Sequence, residues 1–482
     1  MLVATPAQLN TSLAAVQPGD IVTLKNGSWA NVSISVSKGG SPGYPVVIRA
    51  ETPGKVFIGG SSFLEINAPY VTVNGLFFYQ GTTTKESVIH FNSHHGIVQN
   101  TAIVDYNPAA FQTGYYWVFF NGDYNLLDRC YFKGKNNMEP LIGNALEGSR
   151  HHTVSRCYFK NIPYAEANGR EEIRVWGSGK FEERDDDGAF FTIANNLFDH
   201  ADGEGTEIIS LKSNHNQVLS NTVVATRGCI NIRRGDLNVI KGNIILGQGI
   251  ERAEGLRMSG ERNLVQGNYV SGCVYGIQVS CGEYIHAYLT PRYKPDVKEK
   301  GKGPQVLIAT YPQNRYDNIS DNVLVDNSGP DLDVGADYKK HWPESQQVLL
   351  PENCLIKNNR IVRPKGGDSV VGTIPDTTAP LNRFRFSPNE YAGNLLFGGK
   401  NTFAPSFVGF RTQNIPAGWT EEQERSAFKP LTPDDVGPDW VIALRQAGNF
   451  SMEETATAAS SNEPVAPKEK HHKVKTGNKH KQ

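Results

Sequence analysis

A short unit that recurs along the chain restricts its fold more than any other feature. The unit is an aliphatic residue, two variable residues and then Asn or Cys. It occurs at Val71…Asn74, Ile97…Asn100, Leu127…Cys130, Val154…Cys157, Ile193…Asn196, Val218…Asn221, Ile240…Asn243, Val265…Asn268, Ile319…Asn322 and Ile356…Asn359. Successive units are 26, 30, 27, 39, 25, 22, 25, 54 and 37 residues apart. Such spacing is typical of repeat proteins, in which each unit packs on its neighbours.

The units favour strands over helices. Residues 216–225 show the common pattern, a few alternating apolar positions interrupted by Asn, which is too short for a helical repeat. Short strands that cannot bury a face alone are expected to stack coil on coil. The sequence therefore predicts an all-β fold, a right-handed parallel β-helix with Val and Ile inside and Asn bonded to the turns. Cys130 and Cys157 occupy one place in consecutive coils, so we expect stacked buried thiols rather than a disulfide.

The two ends of the chain differ from the repeats. Thr5 and Pro6 mark the start of a short amphipathic helix, which is expected to cap the first coil. We expect the β-helix domain to span residues 1–450, with a less regular part from about residue 365. Residues 451–482 contain no aromatic residue and end in a run of Lys and His, which predicts a disordered basic tail.

Composition and charge argue against a membrane-spanning or a nucleic-acid-binding protein. They also indicate where along the chain a site for an anionic substrate could lie. No apolar run reaches about 18 residues, so no membrane span is expected. With 48 Lys+Arg and 49 Asp+Glu, no overall field attracts nucleic acid. Residues 166–207, however, hold 12 acidic and 4 basic residues, and residues 212–262 hold 8 basic and 4 acidic ones. Stacked coils make these blocks neighbours, either as a salt-bridge ladder or as a cation site beside a site for an anionic substrate.

Three cations are spaced as if they share one face of adjacent coils. Lys212, Arg233 and Arg257 lie 21 and 24 residues apart. Ile230 and Ile232 alternate with Arg233, which predicts isoleucines inside and the arginine outside. Cations in one column cannot pair with one another. A repeating anion such as a uronate polymer would be their natural complement.

Several ordered motifs resemble polysaccharide lyase family six, which includes chondroitinase B and many alginate lyases. The resemblance covers roughly residues 5–450. It is carried by Val16–Asp20, Lys25–Trp29, Cys130–Lys135, Asn168–Arg174, Asp202–Ser213, Ile232–Gly235, Gly255–Arg257 and Pro430–Pro438. It implies β-elimination at a uronic acid, which needs a base, neutralisation of the carboxylate and a proton source for the leaving oxygen.

The resemblance also implies roles for individual residues. Lys212 matches the family's base, and Arg233 matches the residue assigned as acid or leaving-group stabiliser. Because arginine holds its proton tightly, electrostatic stabilisation or proton delivery through water is an alternative. Arg257 matches a residue that grips a substrate carboxylate. Arg234 replaces the family's usual His and is expected to bind substrate beside the leaving group, and Lys135 is expected to contact substrate from a preceding coil.

The family commonly holds Ca²⁺ with one Asn and two Glu, which here correspond to Asn168, Glu204 and Glu207. The match is imperfect, because Glu204 and Glu207 are three residues apart and the family has them two apart. Either a bulge restores Glu204 to the site, or one ligand is lost and Arg, Lys and water neutralise the carboxylate. Both outcomes remain open at the level of sequence.

Other candidates are interpreted structurally. His151 and His152 are expected to have structural roles. Asp185, Asp186 and Asp187 could serve inverting hydrolysis, but they lie in a charged insertion that favours a solvated loop.

The resemblance leaves a preferred function and three rivals. Alginate lyase is preferred over dermatan sulfate lyase because most of the resemblance is to alginate lyases. A β-helical glycoside hydrolase and a non-catalytic polysaccharide-binding protein are the other two. The chain begins without a recognisable signal peptide, yet attack on a large extracellular polymer leads us to expect a secreted or periplasmic protein.

Overall fold

A computed structural model describes residues 1–177, 185–285, 311–342, 345–374, 386–403 and 409–448. These residues include three helices, Pro6–Ala15, Glu421–Arg425 and Asp439–Gln446. Among the described residues, no helix is both long and apolar enough to cross a membrane. The predicted basic tail, residues 451–482, lies outside the described part of the chain.

Three long parallel sheets, of 14, 14 and 13 strands, contain most of the described strands, and a typical coil contributes one strand to each sheet. Sheet A consists of Leu2–Val3, Ile21–Leu24, Val46–Ala50, Val71–Asn74, Ile97–Gln99, Leu126–Asp128, Thr153–Ser155, Thr192–Ala194, Gln217–Leu219, Val239–Lys241, Leu264–Gln266, Asn318–Ser320, Leu355–Lys357 and Glu390–Ala392. Sheet B consists of Gly27–Ala30, Val56–Gly60, Phe77–Gly81, Ala102–Val104, Tyr131–Lys133, Tyr158–Ile162, Leu197–Ala201, Thr222–Val224, Ile244–Leu246, Tyr269–Ser271, Val323–Val325, Arg360–Val362, Asn394–Phe397 and Phe410–Gln413.

Sheet C carries Lys212, Arg233, Arg234 and Arg257. It consists of Ser33–Val36, Phe63–Ile66, Ser87–Phe91, Tyr116–Asp123, Ile142–Arg150, Ile173–Trp176, Glu207–Lys212, Gly228–Arg234, Ala253–Met258, Ile277–Ser280, Leu332–Ala336, Asp368–Gly372 and Lys400–Asn401. A small antiparallel sheet is formed by Gly282–Ile285, Ser345–Leu349 and His341–Trp342. The predicted parallel β-helix is confirmed, and its coils continue past residue 365 as far as Gln413.

The core is a stack of aliphatic columns. In sheet A, Val98, Leu127, Val154 and Ile193 are register partners on consecutive coils, and all four are fully buried. Alternate residues of such a short strand point inward, so each coil adds only one or two apolar side chains per sheet. Stability therefore comes from stacking many coils rather than from any one coil.

An asparagine ladder runs along the turn between sheets A and B. Each side-chain amide donates to the Oδ1 of the next asparagine at 2.9–3.0 Å. The members are Asn196, Asn221, Asn243, Asn268, Asn322, Asn359 and Asn394. Each one also donates to a backbone carbonyl, so the ladder satisfies polar groups that the tight turns would otherwise leave buried and unpaired.

The predicted frame of the ladder is wrong at its start. Because Val98 aligns with Leu127, the residue that precedes Cys130 in the column is Thr101, not Asn100. Asn100 instead donates a hydrogen bond to Asn74 Oδ1 at 3.3 Å, and both residues precede the ladder position of their coils in the sequence. Cys130 and Cys157 are buried and unpaired as thiols, as predicted, and the Cys157 amide donates to Asn196 Oδ1 at 2.8 Å.

The first helix closes the N-terminal end as expected. Thr5 is its N-cap, with Oγ1 accepting from the Gln8 amide at 3.3 Å, and Pro6 is its first residue. Leu9 and Leu13 are buried in the main core, where they cover the first coil.

A strap formed by residues 419–440 runs back along the outer face of sheet B. Its contacts pass from the twelfth strand of that sheet to the third. They pair Glu424 with Arg360, Phe428 with Tyr269, Leu431 with Thr222, Gly437 with Arg156, and Trp440 with both Asn100 and Phe77. The strap belongs to the compact unit Met1–Ala443; of the second unit, Leu444–Gln482, only the end of the last helix and two following residues are described.

Candidate active site

The predicted site residues meet on the outer face of sheet C, at its centre. Trp176, Lys212 and Arg234 are register partners on three consecutive coils. Asn231 and Arg257 are partners in the neighbouring column. The acidic and basic blocks of the sequence are thus brought side by side, as predicted.

A bulge changes the predicted column of cations. The register between Glu207–Lys212 and Gly228–Arg234 shifts after Leu211, so Lys212 pairs with Arg234 and Arg233 is the extra residue. Arg257 pairs with Asn231 rather than with Arg233. The prediction that Lys212, Arg233 and Arg257 form one column is therefore wrong, because a one-residue insertion redirects the side chains that follow it.

Each of the three cations has an acidic partner, which the spacing argument did not foresee. Lys212 Nζ lies 3.2 Å from Glu171 Oε1 and 4.8 Å from the centre of the Trp176 ring. Arg257 and Arg233 share Glu207 Oε1, at 2.9 and 3.5 Å. The arrangement is an ion-pair cluster that spans four coils.

Glu207 is the hub of this cluster. Its Oε1 also accepts a hydrogen bond from the Asn231 amide at 2.6 Å. Burial alone would raise the pKa of Glu207, but Arg257, Arg233, the Ser210 hydroxyl and Lys212 together outweigh it and hold the pKa below its usual value. Glu207 is therefore ionised, and it orients both arginines.

Three glutamates bring carboxylate oxygens together beside the cations. One oxygen each from Glu171, Glu204 and Glu207 lies within 4.8 Å of the others, and all three residues are buried. Glu204 Oε2 accepts from the Gly169 and Arg170 amides at 2.6 and 3.2 Å. Burial, together with the charges of Glu171 and Glu207, raises the pKa of Glu204 to about 7.

This oxygen set fits a hard divalent cation. Carboxylates are the ligands that Ca²⁺ prefers, and close carboxylates repel one another unless a cation or a proton separates them. Glu171 Oε2 has no hydrogen-bond partner among the described residues, although Arg174 lies 3.7 Å away. Although Glu204 and Glu207 are three residues apart in the sequence, both carboxylates reach the same cluster.

The third carboxylate was missed by sequence reasoning. Asn168, the predicted ligand, has an exposed side chain, whereas Glu171 is buried against the two other glutamates. Glu171 lies in the same motif, Asn168–Arg174, so the motif was located correctly, and the ligand role of Asn168 stays a prediction. Only the coil geometry shows which residue of the turn points into the cluster.

Lys135 does not contribute to the groove, the outer face of sheet C around Trp176, Lys212, Arg233 and Arg257, although the sequence predicts that it contacts substrate. It is buried, and its Nζ donates to Asn137 Oδ1 at 2.8 Å and to the carbonyls of Asn137, Met138 and Glu139. With its donors used in this way, Lys135 holds the loop at residues 136–139 rather than a substrate. The prediction of a substrate contact is corrected for this reason.

The groove continues toward the N-terminus with aromatic and charged side chains. Arg174 donates to the Tyr116 hydroxyl at 2.8 Å and to Glu139 at 3.2 Å. The guanidinium carbons of Arg174 and Arg234 each lie 5.6 Å from the centre of the Trp176 ring. Asn144 bonds both backbone groups of Trp176, which fixes the backbone from which the Trp176 ring extends beside Lys212.

The remaining candidates lie outside the groove. His152 is buried against Phe120, and burial lowers its pKa to about 3. His151 stacks between Tyr124 and Phe190. These contacts agree with the structural roles predicted for both histidines.

The aspartates of the charged insertion also lie away from the cluster. Asp185 and Asp187 form ion pairs with Arg262 and Arg150. Asp185 and Asp186 are exposed, in agreement with the solvated loop that the sequence favours over a hydrolytic site.

Comparison with known proteins adds family information. The chondroitinase B family model matches residues 3–280. The polysaccharide lyase Pedsa3628 from Pseudopedobacter saltans, of polysaccharide lyase family six, is 38% identical, with a TM-score of 0.80 over 91% of this chain and 99% of that one. No curated protein sequence matches the chain.

Two more distant structures share the fold. The family six alginate lyase AlyGC is 24% identical, with a TM-score of 0.74 over 91% of this chain and 58% of its own. A mannuronic acid specific family six lyase from human gut microbiota is 23% identical, with a TM-score of 0.72 over 94% of this chain and 99% of its own.

Proposed function

The chain belongs to polysaccharide lyase family six, and from that premise we propose that it cleaves alginate, a 1,4-linked uronate polymer, by β-elimination. The observation that carries the proposal is the convergence of Lys212, Arg233 and Arg257 in one groove beside the carboxylate cluster. A base, two guanidinium groups and an open face are what the elimination of a uronate requires.

In the proposed mechanism, Lys212 removes the proton at C5 of the uronate. Its ammonium is paired with Glu171 in the structure, so Lys212 must release a proton before it acts as a base. Negative charge then develops on the substrate carboxylate, which Arg257 binds. Arg233 stabilises the leaving oxygen, either as the acid or by orienting a water that supplies the proton.

Calcium binding is a further part of the proposal. Glu171, Glu204 and Glu207 would hold the ion, and the bound ion would neutralise the substrate carboxylate. Glu171 is shared between this cluster and Lys212, so its charge influences both.

Alginate is favoured over dermatan sulfate by the names of the distant relatives. Two of them are described as an alginate lyase and as a mannuronic acid specific lyase, although the 38% identical relative is named only as a polysaccharide lyase. The matching family model carries the name chondroitinase B, which makes dermatan sulfate the second candidate.

The deciding experiment follows the ultraviolet absorbance of the unsaturated product on mannuronate blocks, guluronate blocks and dermatan sulfate, with and without chelator. We expect absorbance to rise with an alginate polymer, and we expect the rate of this rise to fall when chelator is present. A rise with dermatan sulfate alone would reassign the substrate. Depolymerisation without absorbance would indicate a hydrolase and would overturn the lyase proposal.

The substrate also bears on where the protein acts. Alginate is too large to be attacked inside a cell, so we propose secretion or export to the periplasm. Fractionation of cells that express the natural gene product tests this, and activity confined to the cytoplasm would contradict it.

A further inference from the structure

Arg233 is the least firmly held cation of the groove. As the extra residue of the bulge, it has no register partner in Glu207–Lys212, so the sheet does not fix its direction. Its ion pair with Glu207 Oε1 is 3.5 Å long, while Asn231 and Arg257 approach the same oxygen at 2.6 and 2.9 Å. Glu207 therefore orients Arg257 well and Arg233 weakly.

The aromatic ring of Tyr311 supplies what Glu207 does not. The Arg233 guanidinium carbon lies 4.1 Å from the centre of this ring, within the range of a strong cation–π contact. Tyr311 is only 7% exposed. Its amide and carbonyl are bonded to the Glu283 carboxylate and amide, at 3.3 and 2.8 Å, so the ring is presented from a fixed backbone.

We propose that Tyr311 is a positioning residue for Arg233, and that its ring, rather than its hydroxyl, is the part that acts. The inference rests on the proposed lyase function. A guanidinium held over an aromatic ring loses freedom to turn away from it, so its rigid fork of N–H groups keeps one orientation. Removing the ring lets the side chain sample other rotamers, which lowers the rate of the chemical step more than it weakens binding of the polymer.

The charges around Tyr311 agree with this role. Burial raises the pKa of its phenol, while Arg233 and Arg257 act in the opposite direction. The hydroxyl consequently stays protonated at neutral pH, and the ring faces the guanidinium as an uncharged surface.

A pair of substitutions separates ring from hydroxyl. Tyr311→Phe keeps the ring, and we expect kcat within about threefold of the wild type. Tyr311→Leu removes the ring, and we expect kcat to fall about five- to thirtyfold with KM changed by less than about threefold. Tyr44→Leu, at a tyrosine that is 67% exposed, is the matched control and should leave both constants unchanged.

Three outcomes would overturn the proposal. Wild-type kcat in Tyr311→Leu would show that the ring is dispensable. An equal loss in Tyr311→Phe, with loss of the alkaline limb of the pH profile, would make the hydroxyl a proton donor instead. A change confined to KM would make Tyr311 a substrate contact.

Two controls keep the test interpretable. Circular dichroism melting checks that each variant folds, and Tyr311→Met, of similar length and flexible, replaces the leucine variant if that one does not fold. Failure of the lyase proposal itself is recognised separately, because the wild type would then give no unsaturated product from any uronate polymer.

Discussion

Sheets A and C are built from the same coils, yet only one of them is regular. Every pairing between the described strands of sheet A keeps a continuous register. Sheet C shifts register at five of its pairings, and two of these involve Gly228–Arg234. Regular stacking supplies the scaffold, and local departures from it direct side chains into the groove.

The chemistry of the two regions differs in the same way. The asparagine ladder beside sheet A satisfies its own donors and acceptors within the protein. The ion-pair cluster on sheet C includes a buried carboxylate oxygen, Glu171 Oε2, without a hydrogen-bond partner among the described residues. Satisfied networks stabilise a fold, whereas incompletely satisfied ones are common where a ligand binds.

The largest expected effect tests the groove. Lys212→Ala should lower kcat about a hundred- to ten-thousandfold, because a general base contributes a factor of this size, while affinity for the polymer is retained. Rate and affinity are measured separately, by product absorbance and by titration calorimetry. Lys85→Ala, at a 45% exposed lysine paired with Glu65 on the same sheet, is the control. Unchanged turnover in Lys212→Ala would exclude Lys212 as the base, whereas polymer binding by the wild type without any unsaturated product would favour a non-catalytic polysaccharide-binding protein.

The ladder predicts the opposite pattern. Asn243→Ala leaves the Asn221 amide without its acceptor, so the free energy of unfolding should fall by about 2–3 kcal/mol with kcat unchanged. Asn92→Ala, at an exposed asparagine, should cost less than about 0.5 kcal/mol. Both are measured by denaturant unfolding. A large loss of kcat in folded Asn243→Ala would show that the ladder also affects catalysis in the groove, contrary to this comparison.

Calcium distinguishes a binding cluster from a purely structural one. At about a hundredfold excess over Kd, bound calcium should stabilise the wild type by about 2–3 kcal/mol, because it binds the folded carboxylate cluster. Glu171→Gln should lose most of this gain, since it removes one of the three carboxylates. Thermal melting without polymer provides the measurement. Equal stabilisation of wild type and variant would exclude Glu171 as a ligand.

The last expected effect is the pH dependence that Glu204 gives to stability. Its pKa is raised from 4.5 to about 7 in the folded protein, so between these values the folded state binds more protons than the unfolded state. Stability without calcium should therefore decrease as pH rises from about 4.5 to 7, by roughly 2–3 kcal/mol. Glu204→Gln should flatten this slope in unfolding experiments at several pH values. A slope that persists in the variant would assign it to another group.

Much of sheet A and little of sheet C could be predicted from the sequence. The ladder from Asn196 onward follows from the repeat, because one side chain must fill the same turn in each coil. The frame failed at Asn74 and Asn100, where the position is filled by other residue types and the pattern matched a nearby Asn by coincidence.

The sequence predicted which cations lie in the groove better than it predicted how they are arranged. Lys212, Arg233 and Arg257 do meet, but spacing alone does not reveal a bulge, so Arg233 was assigned to the wrong column. Lys135 was expected in the groove and is buried elsewhere, whereas Glu171 was not expected and lies in the carboxylate cluster, for a related reason. Whether a turn residue points inward depends on backbone conformation within the turn, which strand periodicity does not report.

The strap of residues 419–440 has a consequence for how the molecule comes apart. A stack in which each coil contacts only its neighbours can fray from either end, one coil at a time. Here the C-terminal chain ties the strand at Arg360 to the strand at Phe77 and to the turn at Asn100. Fraying from the C-terminal end must first detach the strap, so distant coils are expected to exchange their amide hydrogens together rather than in sequence.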